Sequence, residues 1–275
     1  MNKQPLITII SSTYNSSETL RKCLDSVENQ TYRNIEHIII DGKSSDNTTD
    51  IIQEYESHTN SRISYWISEK DKGVYDAWNK AIPHIKGDWV CFLGSDDYYI
   101  SEEVFSKISE KLSTVSEDTL IVYGKIVVFD KTPEDILYTR GCSWDVAKKD
   151  FFKGVMIPHP AVFHRASIFE RYGGFDSRFK IAGDYELLMR VLKETEPEFV
   201  DMPVMMMQFG GASSNPKTMI QSGEEIVLAY KKNGITKTGG FKLKLTLLKM
   251  ASAIAPNISA RLSRTLLDAK IKNMH

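Results

Sequence analysis

Trp89-Val-Cys-Phe-Leu-Gly-Ser-Asp-Asp97 decides how this chain is read. The unbroken apolar run is short enough for a strand and leaves no polar face for water, so it reads as a fully buried strand. It stops at Gly94 and runs into Asp96 and Asp97. Adjacent carboxylates repel each other unless a cation or hydrogen-bond donors stand between them. Oxygen ligands of this kind suit Mg2+ or Mn2+, held with the phosphates of a substrate rather than in a closed protein cage.

Upstream, the same pattern repeats. Ile7–Ile10 reads as a buried strand, followed by loop residues Tyr14-Asn-Ser-Ser17 and a helix with Leu20, Cys23, Leu24 and Val27 on one face. Ile35–Ile40 is a second strand that ends at Asp41-Gly42. Ser44-Ser-Asp-Asn47 then caps a helix whose inner face is Ile51, Ile52 and Tyr55. Ile63–Ile67 is a third strand, followed by Asp71 and a helix over Tyr75–Ile82. This alternation predicts an α/β protein with a Rossmann-like, mostly parallel sheet flanked by helices. In such sheets ligands bind outside the carboxyl ends of the strands, near a switch in strand order. Asp41, Asp71 and Asp96-Asp97 all fall there.

After Asp97 the rhythm loosens. A helix is expected at Val104–Leu112, strands at Leu120–Phe129 and Ile136–Thr139, and a helix near Asp184 with Leu187, Leu188 and Val191 inward. Phe199–Gln208 reads as extended, and a helix over Lys217–Lys231 closes the body. The expected division is 1–99 for the α/β half, 100–232 for the second half of the same domain, and 233–275 for a basic helical tail.

Composition narrows the function. With 41% hydrophobic and 26% charged residues the chain can bury a real core. No apolar run reaches the roughly 18–20 residues of a membrane span, and Met1-Asn-Lys-Gln-Pro5 lacks the apolar centre of a signal peptide. Cys23, Cys91 and Cys142 are too scattered for a zinc site or a disulfide framework, so a reducing cytoplasm is expected. The net charge of −1 argues against a general nucleic-acid binder. It conceals an asymmetry: ten Lys/Arg and one acid follow residue 230, leaving 25 basic and 35 acidic residues before it. Lysines alternate with leucines in Phe241-Lys-Leu-Lys-Leu245, as in a segment lying on an anionic membrane surface; a helical cap with solvated lysines is the other reading.

Taken in order, Ile9-Ile-Ser-Ser-Thr13-Tyr-Asn15, Ile40-Asp-Gly-Lys-Ser-Ser-Asp-Asn-Thr48 and Phe92-Leu-Gly-Ser-Asp-Asp97 resemble glycosyltransferase family 2. Ser68-Glu-Lys-Asp71-Lys-Gly-Val-Tyr-Asp-Ala-Trp-Asn-Lys80 is similar to the subset found in bacterial exopolysaccharide and colanic-acid-type clusters. The resemblance covers Leu6 to Ser214, and Lys43 departs from it where Ser is commoner. It implies a GT-A fold and transfer of a sugar, with inversion, from a nucleoside diphosphate-sugar to a saccharide or lipid-linked saccharide during cell-surface polysaccharide assembly. By position it implies Thr13 and Asn15 in the nucleotide pocket, Asp41 on base or ribose, Asp96 near ribose and metal, and Asp97 as the principal metal ligand. Asp71 belongs to the same donor edge, and Lys72 and Lys70 are placed to add positive charge for the phosphates; a solvated lysine-rich loop is the other reading.

An inverting transfer needs a base for the acceptor hydroxyl. Gly183-Asp184-Tyr-Glu186 resembles the family's acid at a helix start, which assigns that role to Asp184; a plain helix cap is the other reading. His159, between Pro158 and Pro160, and Ser213, after Gly210-Gly211, are candidates for an acceptor contact and a lid. Two rival functions fit the residues less well. A sugar-nucleotide nucleotidyltransferase calls for a glycine-rich basic loop after the first strand, and Ser11–Asn15 is not one. A non-catalytic sugar-nucleotide-binding protein has no use for Asp97 and Asp184.

Overall fold

A computed structural model describes residues 4–210 and 216–236, with 241–243, 245–247 and 249 of the tail. Ser213 and most of the expected tail therefore lie outside the described residues. Four strands, β1 (Ile7–Thr13), β2 (Ile35–Asp41), β3 (Ile63–Ser68) and β4 (Trp89–Gly94), alternate with α1 (Leu20–Glu28), α2 (Thr48–Glu56) and α3 (Val74–Ala81). All four strands run parallel in the order β3-β2-β1-β4. The chain moves outward from β1 through β2 to β3, then returns to place β4 on the other side of β1. That reversal is the switch point where a crevice opens at the carboxyl ends.

The second half continues the same sheet with a different grain. It comprises β5 (Tyr98–Tyr99), α4 (Val104–Leu112), β6 (Ile121–Phe129), β7 (Ile136–Arg140), α5 (Trp144–Phe151), β8 (Val162–Arg165), α6 (Ser167–Tyr172), α7 (Gly183–Leu192), β9 (Glu198–Gln208) and α8 (Pro216–Lys232). β8 runs antiparallel to both β4 and β6, β7 antiparallel to β6, β5 antiparallel to β9, and only β6 and β9 are parallel. The sheet is thus mixed, wholly parallel from β3 to β4 and mostly antiparallel beyond it. β8, entering between β4 and β6 and running against both, is what turns the sheet antiparallel.

Side chains alternate between two cores, as the two-residue strand period requires. Ile38, Ile40, Val90 and Phe92 face the layer of α3 and α7, while Ile39, Cys91 and Leu93 face α1, α2 and α4. The expected helical stripes are buried: Leu20, Cys23, Leu24 and Val27 on α1, and Leu187, Leu188 and Val191 on α7. Within the described tail, Phe241 packs edge-on to Tyr230 with ring centres 5.7 Å apart, and Lys249 pairs with Glu224 at 2.5 Å. Leu243 and Leu247 stay exposed on the outside.

Candidate active site

The strand register lines up the donor edge. Thr13 is opposite Asp41, and Asp41 is opposite Ser68, so three polar side chains meet at neighbouring strand ends. Asp41 is fully buried, and donors surround it. Thr13 Oγ1 donates at 2.9 Å, Ser68 Oγ at 2.6 Å, and Ser44 donates through Oγ at 2.5 Å and its backbone N–H at 2.9 Å. Such a carboxylate fixes the loop that follows it. Asn15 adopts a left-handed φ of 48°, and its Oδ1 accepts the Ser45 N–H at 2.9 Å. Asp46 bridges the same two loops, taking the Ser17 N–H at 3.1 Å and the Thr48 hydroxyl at 2.5 Å. The expected cap on α2 is therefore also a tie between β1 and β2.

Two open clefts adjoin this edge. One, of about 500 Å³, is lined by Tyr14, Gly42, Lys43, Lys70 and Asp71. Its floor lies close under Asp71: a Cβ at Gly42 would lie 2.7 Å from Asp71 Oδ2 and would push that carboxylate aside. Lys72 is exposed one residue further, at the approach to α3. The second cleft, of about 470 Å³, is lined by Asn15, Ser16, Ser17, Glu18, Thr19, Asp46, Ser95 and Asp96. Here Asp96 and Asp97 crowd Gly94: a Cβ there would lie 2.9 Å from Asp96 Oδ1 and 2.9 Å from Asp97 Oδ2. Burial first, and the Asp96 charge second, push the Asp97 carboxyl up to about 8. A carboxylate pair that resists ionising together is relieved by a cation, so the residues present fit a divalent metal. Among the described residues no group of three or more His, Cys, Asp or Glu closes into a metal cage. The remaining coordination positions are left to oxygens of a phosphate-bearing ligand.

The other carboxylate stands at the first turn of α7. Asp184 Oδ1 lies 3.1 Å from the Tyr75 hydroxyl and accepts the Tyr185 N–H at 2.8 Å, while Oδ2 is 4.0 Å from His159 Nδ1. Burial pushes its carboxyl up to about 6 against these stabilising contacts. His159 is buried between the rings of Trp78 and Phe92, each 5.5 Å away, and burial pushes it down to about 3. It is a neutral imidazole beside Asp184 Oδ2. Glu186, two residues on, has no access to a substrate. It is fully buried, pairs with Arg190 and Lys232 at 3.0 Å each, and accepts from Asn233.

The two edges are joined by α3. Asp71 Oδ1 accepts the Gly73 N–H at 2.8 Å just ahead of the helix, and Tyr75 in its first turn reaches Asp184. Lys180 Nζ donates to the Lys72 carbonyl at 2.8 Å across the same gap. The family model for glycosyl transferase family 2 matches residues 8–172, which spans β1 through α6 and includes Asp41, Asp71, Asp96 and Asp97.

The chain belongs to glycosyltransferase family 2.

An uncharacterized glycosyltransferase of Mycobacterium tuberculosis is 34% identical over 202 residues, 72% of either chain. A mycobacterial PGL/p-HBAD biosynthesis glycosyltransferase is 27% identical over 213 residues, covering 76% of this chain and 80% of its own. Among solved structures, a Pyrobaculum calidifontis mannosyltransferase in complex with GDP-Man and Mn2+ superposes with a TM-score of 0.62 at 17% identity, over 97% of this chain and 81% of that one. Staphylococcus aureus TarS in complex with UDP gives a TM-score of 0.62 at 16% identity, over 81% of this chain and 64% of that one. The fold of this family 2 enzyme is thus the expected GT-A fold, with the mixed sheet described above. Tyr75 was not singled out from sequence, although it lies within the motif that starts at Ser68. Its place in the first turn of α3 carried no chemical signal until Asp184 was seen beside it.

Proposed function

We propose that this glycosyltransferase is metal-dependent and inverting, and moves a sugar from a nucleoside diphosphate-sugar to a saccharide or lipid-linked saccharide in cell-surface polysaccharide or glycolipid assembly. The observation that carries the reading is the pairing of two differently built acidic sites through one short helix. Asp96 and Asp97 stand at a strand end beside open clefts, and Asp184 stands beyond α3 on a buried helix start. Asp97 and Asp96, with oxygens of the donor diphosphate, would hold a Mg2+ or Mn2+ that offsets the negative charge of the departing diphosphate. Thr13, Asn15, Asp41 and Asp71 shape the nucleotide side, with Lys70 and Lys72 adding positive charge near the phosphates.

Asp184 takes the acceptor proton. Its Oδ1 is occupied by Tyr75 and Tyr185, so the proton goes to Oδ2 as the acceptor oxygen bonds to the anomeric carbon and the carbon–oxygen bond to the diphosphate breaks. Attack from the face opposite the leaving group inverts that carbon. A base raised to about 6 is ionised at neutral pH yet basic enough to accept a proton. His159, held neutral by burial, lies 4.0 Å from Asp184 Oδ2, that same oxygen. Ser213 is kept as a lid candidate on sequence grounds.

The named relatives support the pathway class: one is a PGL/p-HBAD biosynthesis glycosyltransferase and another, from Escherichia coli, a chondroitin synthase matched over 28% of its length. No described helix is long and apolar enough to cross a membrane. We place the enzyme in the cytoplasm, with the basic tail at the inner face of the membrane. Exposed Leu243 and Leu247, with Lys242 adjoining Leu243 in the chain, give that contact its apolar and cationic parts. Screening UDP- and GDP-sugars for Mn2+-dependent release of nucleoside diphosphate, with and without saccharide acceptors, tests the proposal. Acceptor-stimulated release with an inverted product is expected; a product that keeps the donor's anomeric configuration contradicts it.

A further inference from the structure

The backbone just ahead of Asp184 is held from two sides by side chains the chemistry above does not use. On one side Glu225, nearly buried on α8, receives three consecutive backbone N–H groups: Lys180 at 3.0 Å to Oε1, and Ile181 and Ala182 at 2.8 Å each to Oε2. Gln221 Nε2 donates to Oε1 at 3.1 Å and keeps that carboxylate aimed at the loop. On the other side the Tyr75 hydroxyl lies 2.7 Å from the Ile181 carbonyl and 3.1 Å from Asp184 Oδ1. Ile181 thus has its N–H bound to α8 and its carbonyl facing α3.

Gly183 seals the arrangement. A Cβ there would lie 2.8 Å from Tyr75 ring atoms, so the ring rests directly on the backbone. The ring is itself fixed, stacked 5.5 Å from Phe175 and edge-on to Trp78 at 5.4 Å. These are more polar contacts than a helix start needs. An ordinary cap uses one side chain for one or two N–H groups, whereas here a carboxylate from another helix takes three and a tyrosine reaches both backbone and carboxylate.

We propose that Tyr75 and Glu225 are positioning residues for Asp184: together they fix residues 180–184 so that Oδ2 is the atom offered to the acceptor, and Tyr75 ties that carboxylate to the donor loop at Asp71–Gly73. The inference rests on the reading of Asp184 as the base. The groups that face Asp184 are Tyr75 from α3, His159 from the turn before β8, the Tyr185 N–H on its own helix, and Arg140 at the end of β7, whose charge favours the ionised carboxylate. The Tyr75 hydroxyl also favours the ionised form, so its removal raises the pH at which Asp184 gains its proton.

Tyr75→Phe keeps the ring on Gly183 and removes the hydroxyl alone. Its kcat is expected to fall about tenfold or more, the scale of one lost hydrogen bond to a charged group. The KM for the UDP- or GDP-sugar found by panel screening stays within about twofold, because the lost contact is to the base rather than to the donor. The acid limb of kcat moves to higher pH, and carbon NMR titration of the Asp184 carboxyl shows the same shift without any donor. Glu225→Gln keeps one oxygen for the Ile181 and Ala182 N–H groups but turns an NH2 toward the Lys180 N–H. It is expected to fall between wild type and Glu225→Ala in kcat, with faster hydrogen exchange at Ile181 and Ala182. The Gln variant carries the test where Ala fails to fold. An inactive Asp184→Asn alongside Tyr75→Phe with wild-type kcat and an unmoved acid limb overturns the clamp and leaves the base standing. An active Asp184→Asn removes the base reading itself.

Discussion

On the donor side of the site, Thr13, Asp41, Ser68 and Gly94 occupy the ends of adjacent parallel strands, and each polar group there is placed by sheet register. On the base side, Asp184 begins a helix and owes its orientation to Tyr75 on α3, the His159 turn, and Glu225 through a loop 45 residues away in sequence. Neighbouring strand ends bring donor groups together almost automatically, whereas a base aimed at a variable acceptor has to be held by separate helices. The donor edge should therefore tolerate changes on the base side, and the reverse.

The strongest way to break that division is at the metal pair. Asp97→Asn removes the charge that balances a divalent ion, so Mn2+-supported nucleotide binding and nearly all transfer are expected to vanish. Tight UDP or GDP binding that needs Mn2+ in this variant, or wild-type transfer that survives EDTA, refutes the metal assignment. Next come two glycines that probe one edge each. Gly183→Ala drives a methyl into the Tyr75 ring and is expected to lower kcat with little change in donor KM. Gly42→Ala, 2.7 Å from Asp71 Oδ2, should raise donor KM first. Steady-state kinetics that show the opposite pattern dissolve the two-edge distinction.

A smaller effect is the pH dependence. As the proposed base Asp184 would act ionised, and its carboxyl is raised to about 6, so kcat should fall as pH drops through about 6 and level off above it. Loss of that acid limb in wild type contradicts an Asp184 base. Smallest for catalysis is the tail: deleting residues 241–275 should weaken sedimentation with phosphatidylserine vesicles and leave donor hydrolysis intact, with added salt acting like the deletion. Equal vesicle binding by both proteins makes the tail a cap on α8.

Much of this contrast was already legible in the amino-acid order. β1, β2 and β4 announced themselves because they are buried on both faces, and β2 and β4 run out at Asp41-Gly42 and Gly94. The helices with stripes at i, i+3 and i+4 were equally plain. α5, β8 and α6 were not. On α5 only Trp144 and Phe151 are buried, at opposite ends, and β8 is four residues long, so neither shows a period. The antiparallel turn of the sheet went unseen for the same reason. Asp184 was visible through a motif, but its supports on α3 and α8 were not: Glu225 sits on α8 with nothing nearby to mark it, and Glu186, the other acid of the motif, is a buried partner of Arg190 and Lys232.

The central claim is that donor capture and proton removal are carried by different carboxylates. Asp184→Asn tests it most directly, since an amide caps α7 about as well and cannot accept the proton. Calorimetric titration with UDP or GDP and Mn2+ should give wild-type affinity, with an unchanged melting temperature. Sugar transfer by the same sample should fall by roughly 10²–10⁴, the usual contribution of general base catalysis. Transfer near the wild-type rate, or nucleotide affinity lost together with transfer, contradicts the account.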